Sequence, residues 1–189
     1  MNARSPAAVV AGNVETSQRV ADTVLLALAQ AVELPAQGQG TMNNLIIGGA
    51  GWTYYETIGG GQGASAAGPG ASGVHVGMSN TLNTPIEALE LELPLRVERY
   101  ELRDGSGGDG EHRGGDGVER AVRVLEAAQL SLLTDRRRHA PQGASGGKPG
   151  ETGENRLNDE ELAPHATREL SEGDVVTVRT PGGGGWGKA

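Results

Sequence analysis

The sequence predicts an α+β fold, in which one N-terminal amphipathic helix precedes a half that is rich in β-strands and glycine loops. Two observations lead to this prediction. Apolar residues recur with helical spacing near the N-terminus, whereas the later apolar runs are short and alternate with polar residues. Glycine accounts for 32 of the 189 residues and is concentrated between those runs. The second half is therefore predicted to consist of strands joined by glycine-rich connections.

The helix is predicted to begin at Asn13, a favourable N-cap residue, with Glu15 in the first turn, where the helix dipole favours an anion. It is predicted to end before Pro35. One face is apolar, and its members lie three, four or seven positions apart: Val14, Ala21, Leu25, Leu28 and Val32. The opposite side carries polar residues: Gln18, Arg19, Asp22 and Gln30. The helix is therefore predicted to lie on the surface of a larger body.

Two strands that flank a glycine-containing turn are predicted to form a hairpin. Residues 45–47 are a short apolar strand, and residues 52–58 are the next strand. The turn at residues 48–51 joins them. One face of the second strand carries Trp52, Tyr54 and Glu56.

Further strands are predicted in the second half of the chain. In residues 95–103 the apolar positions change parity, and a β-bulge at the adjacent pair Glu98 and Arg99 would restore the phase. Three more strands are predicted at residues 118–125, 129–134 and 174–180.

Two shorter features are predicted outside the strands. Residues 85–91 form one or two helical turns, with Thr84 as the cap and Pro85 at the first helical position. Residues 180–187 are predicted to form a special C-terminal turn that Trp186 anchors.

The composition restricts the classes of function. A net charge of −8 argues against nucleic-acid binding, since phosphate contacts need a basic face and the only basic run is residues 136–138. The absence of cysteine excludes disulfides and thiolate metal sites and permits a reducing cytoplasm. No apolar run approaches the ~20 residues of a membrane span, and residues 1–11 lack the order of a signal peptide. A cytoplasmic protein with neither a nucleic-acid nor a membrane partner is predicted.

Large side chains for a core are few. Aromatic residues make up only 3% of the chain, and phenylalanine is absent. A chain of this size with so little aromatic volume is predicted to dock onto other polypeptide.

Two glycine motifs resemble nucleotide-binding loops but each lacks an essential part. The motif at residues 59–64 follows a predicted strand, yet no helical periodicity follows it, so no helix N-terminus is available for a pyrophosphate. The motif at residues 143–148 is one residue short of a P-loop, and Pro149 stands where Ser or Thr would hold magnesium. The four histidines are far apart in sequence, so no complete metal site is predicted within this chain.

The candidate site lies between Trp52 and Glu87, where a strand leads through a glycine-rich loop into a dense polar cluster. The candidate catalytic residues are His75 and Glu56. His75 either contacts a substrate or is a hydrogen-bonded structural histidine, and Glu56 either points toward the glycine turn or is a solvated strand-end carboxylate. The candidate substrate-binding residues are Asn43, Asn44, Gly59, Gly60, Gly61, Asn80 and Asn83. The asparagines have an alternative role in turn hydrogen bonds.

Nine segments in collinear order resemble a known family and together run through essentially the whole chain. They are AAVVAGNVETSQRV (7–20), QGTMNN (39–44), YYETIGGGQGA (54–64), NTLNTPIE (80–87), LRVERYELR (95–103), GSGGDGEHRGGDG (105–117), RRRHAPQG (136–143), GGKPG (146–150) and TPGGGGWG (180–187). The sequence resembles the hydantoinase B/5-oxoprolinase family in all of these segments.

The resemblance implies that residues 1–189 are the C-terminal segment of a larger hydantoinase B fold and an incomplete domain of it. Family members carry metal-binding His and Asp residues in an N-terminal part that has no counterpart here. A split gene, a truncated reading frame or a separately encoded half is therefore expected. The family pattern resembles VHTHMTNT around its histidines, but Gly77 stands where the second histidine is expected, so only His75 carries over.

The resemblance also implies an activity, namely ATP-dependent hydrolysis of a cyclic amide such as a hydantoin or 5-oxoproline. An A-type subunit would phosphorylate the substrate oxygen, and the B-type subunit would assist ring opening in a hetero-oligomer. ATP and a divalent metal are expected in the complex, with neither bound by this segment alone, and the isolated chain is expected to be inactive. Two alternatives stay open: a component of an acetone or acetophenone carboxylase-type complex, and a non-catalytic remnant that binds a partner.

Overall fold

A computed structural model describes residues 13–189, with side chains from residue 14 onward. The signal-peptide prediction for residues 1–11 and the capping role of the Asn13 side chain lie outside this described part. Within it, the chain has an α+β fold with two helices and two antiparallel sheets. The elements in chain order are α1 (Asn13–Leu28), β1 (Asn44–Gly49), β2 (Trp52–Glu56), α2 (Ile86–Glu92), β3 (Leu95–Leu102), β4 (Val118–Val124), β5 (Ala128–Leu133), β6 (Glu154–Leu157), β7 (Glu160–Glu161), β8 (His165–Leu170) and β9 (Val175–Arg179).

Helix α1 begins at the predicted residue but is shorter than predicted. It ends at Leu28, and the next residues form a turn in which the backbone N–H of Val32 donates to the carbonyl of Leu28 at 3.0 Å. The chain leaves the helix well before Pro35. The apolar positions of the helix nevertheless share one face, as their spacing predicts.

The polar side of α1, and not its apolar face, contacts the rest of the chain. Glu15 and Gln18 are buried, and Oε2 of Glu15 accepts a hydrogen bond from the backbone N–H of Met42 at 2.7 Å. Asp22 forms an ion pair with Arg136 at 2.6 Å. The prediction of a surface helix is confirmed, but its charged residues face inward because each carboxylate meets a donor there.

The first sheet has the strand order β2-β1-β5-β8, with antiparallel neighbours throughout. Strands β1 and β2 form the predicted hairpin, in which Gly49 pairs with Trp52. The intervening Gly51 has a φ of 90°, which only glycine adopts readily. Tyr54 and Glu56 are buried on one face of β2, whereas Thr53 and Tyr55 on the other face are exposed, as the alternation predicts.

The second sheet has the strand order β3-β4-β9-β6-β7 and is also antiparallel. The predicted β-bulge in β3 is confirmed, because Val97 pairs with Val122 and Arg99 pairs with Ala121, which leaves Glu98 without a partner. The extra residue changes the parity of the strand. Val97 and Tyr100 therefore both pack against the core.

One hydrophobic core joins the two sheets. Leu45, Ile47 and Leu130 come from β1 and β5, whereas Val122 and Val176 come from β4 and β9, and all are fully buried. Helix α2 contributes one buried leucine to the same cluster. Branched aliphatic side chains thus form a core although the chain has few aromatic residues.

Five extended segments outside the sheets pack backbone against backbone, and we call them the glycine bundle. The bundle consists of residues 36–39, 59–64, 106–116, 141–151 and 181–187. Its central segment is residues 181–187, whose backbone groups bond to each of the other four. The N–H groups of Gly183, Gly184 and Gly185 donate to the carbonyls of Gly115, Gln37 and Lys148, and the N–H of Gly61 donates to Pro181, all at 2.8–2.9 Å.

The contacts of the central segment repeat every three residues, which is the period of a polyproline II helix. A Cβ atom on Gly182, Gly183, Gly184 or Gly185 would lie 2.0–2.2 Å from a backbone oxygen of Ser106, Gln62, Gln142 or Asp109, in that order. Gly182, Gly183 and Gly184 thus face three different segments, and Gly185 faces the same segment as Gly182. The predicted C-terminal turn at residues 180–187 is therefore wrong. The repeated glycines form an extended segment around which the other four bundle segments pack.

Two local predictions also differ from the structure. The N-cap of α2 is Pro85, whose side chain has no hydrogen-bonding group, so no side-chain capping bond forms. The predicted cap, Thr84, lies one residue earlier, and its backbone N–H donates to Glu56. Strands β6, β7 and β8 were not predicted from sequence. Their residues are mostly polar, and both residues of β7 and most of β8 are exposed, so these strands lack the apolar alternation that reveals a half-buried strand.

Candidate functional site

Glu56 is a buried carboxylate at the end of β2. Its Oε2 lies 2.8 Å from Nε of Arg120, which reaches it from β4, although the Nε–H bond is not aligned for a hydrogen bond. The hydroxyl of Tyr54 donates to the same oxygen, and Oε1 accepts the backbone N–H of Thr84 at 2.9 Å. The side chain is 3% exposed, so this is an internal ion pair and not the solvated carboxylate of the alternative interpretation.

Arg120 is the cation of this cluster and is itself almost inaccessible. Its guanidinium lies over the ring of Tyr100, 4.7 Å from the centroid, and its Nη2 donates to the hydroxyl of Tyr54 at 3.2 Å. Its Nη1 is buried and has no hydrogen-bond partner among the described residues. Burial raises the pKa of Tyr54, and the charge of Glu56 raises it further, so this phenol stays protonated and acts as a donor.

His75 lies in a directed chain of hydroxyl groups. The hydroxyl of Ser79 donates to the carbonyl of Val76 at 3.1 Å, so the Nδ1–H of His75 is the donor to Ser79 Oγ at 3.2 Å. In the neutral ring Nε2 then accepts from Thr81 Oγ1 at 3.1 Å, and Thr81 in turn accepts from Thr57 at 2.6 Å. The hydrogen-bond partners therefore assign the neutral Nδ1–H tautomer.

The charge state of His75 follows from the same surroundings. Burial lowers its pKa below the ordinary histidine value and outweighs the opposing influence of the Glu56 carboxylate. A neutral imidazole at pH 7 has one basic nitrogen, Nε2, in contact with an exposed hydroxyl. Such a group is suited to proton transfer with a ligand that displaces or contacts Thr81.

The lowered pKa of His75 predicts a loss of stability in weak acid. The unfolded chain binds the proton first, so we expect the free energy of unfolding to fall as pH drops below ~6.5 and through the folded pKa. Urea midpoints between pH 8 and 5 measure it. The urea midpoint of His75→Gln should change less with pH than that of the wild type. The urea midpoint of the exposed control His139→Gln should change with pH as the wild-type midpoint does. Equal pH profiles for His75→Gln and the wild type would contradict the prediction.

The side-chain amides of Asn43 and Asn44 bond within the protein. The Nδ2 group of Asn43 donates to Gln39 and to the carbonyl of Ile58, and its Oδ1 accepts from Arg137 at 2.6 Å. Asn44 donates to the carbonyl of Leu133, and its Oδ1 accepts the Tyr55 hydroxyl at 2.7 Å. Both are fully buried, so a ligand would have to replace protein partners to reach them.

The candidate glycines lie in the glycine bundle. A Cβ atom on Gly59 or Gly60 would lie 3.0 Å or less from Val74 or Gln39, and one on Gly61 would lie 2.0 Å from the carbonyl oxygen of Gly115. The N–H of Gly60 donates to Val74, and that of Gly61 donates to Pro181. No helix begins after this loop within the described chain before α2, so these N–H groups serve the bundle and not a phosphate.

The remaining candidates lie near His75. Asn80 is exposed, and Asn83 is half-buried with its Nδ2 group directed at the hydroxyl of Tyr100. The structure thus groups His75, Glu56 and Asn83 and separates them from Asn43 and Asn44. The central member of the group is Arg120, which the sequence reasoning missed. Its signal is a basic residue inside the apolar strand VERAVRV, opposite a buried acidic strand end.

The described residues do not supply the ligand set of a metal ion. Within residues 13–189, no three His, Asp or Glu side chains lie close enough together to hold a metal ion. In that same part of the chain neither helix has the length and hydrophobicity that a membrane crossing requires.

Comparison with known sequences decides the family. The sequence profile described as hydantoinase B/oxoprolinase matches residues 1–189. The chain belongs to the hydantoinase B/oxoprolinase family. Within this family it is 44% identical to 5-oxoprolinase 1 of Arabidopsis thaliana over 96% of its own length, which is 14% of that protein. The chain spans between 14% and 34% of the curated hydantoinase B/oxoprolinase relatives that it matches.

Solved structures support the same family assignment. The ATP-dependent caprolactamase from Pseudomonas jessenii has a TM-score of 0.84 and 28% identity over 99% of this chain and 36% of that chain. A nucleotide-free acetone carboxylase has a TM-score of 0.63 and 19% identity over 81% of this chain and 26% of that chain, which shows a shared fold alone. Both solved chains extend beyond the region that this chain matches.

Proposed function

We propose that this chain is part of an ATP-dependent cyclic-amide hydrolase that opens a hydantoin- or 5-oxoproline-type ring together with an A-type subunit. The observation that carries the proposal is the similarity, over nearly the whole chain, to a structure described as an ATP-dependent caprolactamase. Caprolactam, hydantoin and 5-oxoproline share an amide within a ring. The same activation of the amide oxygen therefore serves each of them.

In this proposal other polypeptide supplies the ATP site and a divalent metal site. The N–H groups of Gly60 and Gly61 donate to backbone carbonyls, and the described residues offer no cluster of metal ligands. The A-type subunit and the N-terminal part of a B-type subunit are the proposed partners, in a cytoplasmic hetero-oligomer. We derive no catalytic step of this chain through the metal or ATP.

His75 is the proposed catalytic residue of this chain. Its neutral ring, whose basic nitrogen Nε2 contacts the exposed Thr81 hydroxyl, would accept or return a proton as the substrate ring opens. Glu56 and Arg120 would hold the surrounding loop in place. The backbone N–H of Thr84 is fixed by Glu56, and Thr81 lies between Thr57 and His75. Glu56 therefore acts as a positioning residue.

The function is tested by reconstitution. We expect the purified chain alone to show little turnover of hydantoin, 5-oxoproline or caprolactam, and we expect ATP-dependent ring opening with an A-type subunit and the rest of a B-type polypeptide. ADP release and chromatography of the ring-opened acid measure the activity. Rapid turnover by the isolated chain would contradict the incompleteness, and no turnover by the complete assembly would contradict the function.

The role of His75 is tested in the same assembly. His75→Gln is expected to lower kcat by about a hundredfold, the scale of a lost general acid or base. The exposed control His139→Gln should retain wild-type kcat. Unchanged kcat in both variants would assign His75 a structural role and favour the non-catalytic alternative for this chain.

The carboxylase-type alternative rests on the shared fold alone. It is separated from hydrolysis by supplying labelled bicarbonate, ATP and acetone or acetophenone. Label in an acid product would favour a carboxylase, and unlabelled product removes that alternative.

A further inference from the structure

The apolar face of α1 has no cover in the described part of the chain. Six large aliphatic side chains in and just after the helix are 42–55% exposed: Val20, Val24, Leu25, Leu26, Leu28 and Val32. None of them belongs to the hydrophobic core. Contiguous apolar surface of this kind on a water-soluble domain is typical of an interaction site.

The orientation of α1 is fixed by its polar contacts, so the apolar face cannot turn inward. Besides the bonds of Glu15 and Asp22, Arg19 donates to the carbonyl of Gly40 at 3.1 Å and pairs with Asp22 at 2.9 Å. Rotation of the helix would bury aliphatic side chains only by breaking these bonds and leaving Arg136 without its carboxylate. The exposed face is thus a property of the chain as far as residues 13–189 describe it.

A groove of about 290 Å³ adjoins the C-terminal half of this face. Leu25, Leu26 and Val32 form one wall, and the opposite wall is the bundle backbone at residues 35–37 and 142–145. Charged residues border the groove at Asp22 and Glu33. An apolar centre with a charged border is the usual anatomy of a protein interface.

We propose that this face and groove are the docking surface for the remaining hydantoinase B-type polypeptide. The related caprolactamase chain matches 99% of this chain at a TM-score of 0.84, yet the match is only 36% of that chain. Nearly two thirds of the related polypeptide is therefore available as a partner. The occupant is expected to present an apolar segment that enters the groove. The proposal rests on the proposed function only in placing this chain within a larger assembly.

Binding to a defined probe tests the docking surface. The probe is the part of the Pseudomonas jessenii caprolactamase chain that lies outside the matched region, and the affinity for the full 189-residue chain is measured by calorimetry. We expect the double variant Val24→Asp/Leu28→Asp to raise Kd by about a hundredfold, because two charges would enter an apolar interface. The control Leu91→Asp/Leu125→Asp changes two exposed leucines elsewhere and should keep the wild-type Kd.

The outcomes separate the surface from the function. Circular dichroism should show both double variants folded, since all four positions are exposed. Equal Kd for Val24→Asp/Leu28→Asp and the wild type, or no binding by the wild type, overturns the proposal. A wild-type dimer in light scattering that this variant abolishes would assign the face to a second copy and also overturns it. Selective loss of binding without any ATP-dependent ring opening would support the docking surface and contradict the proposed function.

Discussion

Replacing Arg120 with methionine is expected to lower Tm by roughly 10 °C or more, because it leaves the buried carboxylate of Glu56 without its cation. Breaking a buried ion pair at one partner costs about 3–5 kcal/mol, and each kcal/mol shifts Tm by about 2–4 °C in a domain of this size. The lost contact with the ring of Tyr100 adds to the effect. Thermal unfolding followed by circular dichroism measures it.

The matched control is Arg123→Met on the same strand. Arg123 pairs with Glu98 at 2.6 Å, but its side chain is 39% exposed. A surface pair of this kind contributes about 0–1 kcal/mol, so Tm should change little. The double variant Glu56→Gln/Arg120→Met should recover part of the loss, because the uncompensated charge is gone. Equal losses for Arg120→Met and Arg123→Met would show that the internal pair has no special role.

Gly183→Ala is expected to reduce the free energy of unfolding by about 3 kcal/mol or to prevent folding. The new methyl carbon would lie 2.0 Å from the carbonyl oxygen of Gln62. A Cβ atom on the neighbouring Gly182 or Gly184 would also lie within 2.2 Å of a backbone oxygen. Backbone atoms cannot move aside as a flexible side chain would. The measurement is chemical denaturation with urea, compared with the wild type.

Gly48→Ala is the control for this substitution. A Cβ atom at Gly48 would lie 3.6 Å from Thr53 Oγ1, an ordinary contact, and its backbone has no left-handed conformation. Its urea midpoint should therefore be close to that of the wild type. If Gly183→Ala were as stable as Gly48→Ala, the central segment would not be close-packed, and the glycines would be free for a ligand.

Sequence predicted the parts of the fold that local patterns determine. The turn at Gly51 and the parity change at Glu98 each reside in a few neighbouring residues, so the hairpin and the β-bulge were both predicted correctly. The inward direction of Gln18 and Asp22 was not predictable in this way. For Asp22 it depends on Arg136, which is distant in sequence, just as the burial of Glu15 depends on Met42, and a helical pattern does not say which face finds a partner.

The candidate site shows the same division. The clustering of polar residues before α2 indicated His75, and the end of β2 indicated Glu56. Arg120 escaped notice because it shares a strand face with Val118, Val122 and Val124, and the strand pattern alone does not indicate what a charged residue on an apolar face contacts. The pairing of β3 with β4 brings Arg120 opposite Tyr100, whereas only the packing of the two sheets places its guanidinium beside Glu56.

The central strand of the glycine bundle has a consequence for biosynthesis. Residues 181–187 follow the other four bundle segments in the sequence, yet every one of those segments bonds to them. During synthesis on the ribosome, the earlier segments therefore emerge with N–H and C=O groups whose partners do not yet exist. We therefore expect the bundle to close only after residues 181–187 have left the ribosome.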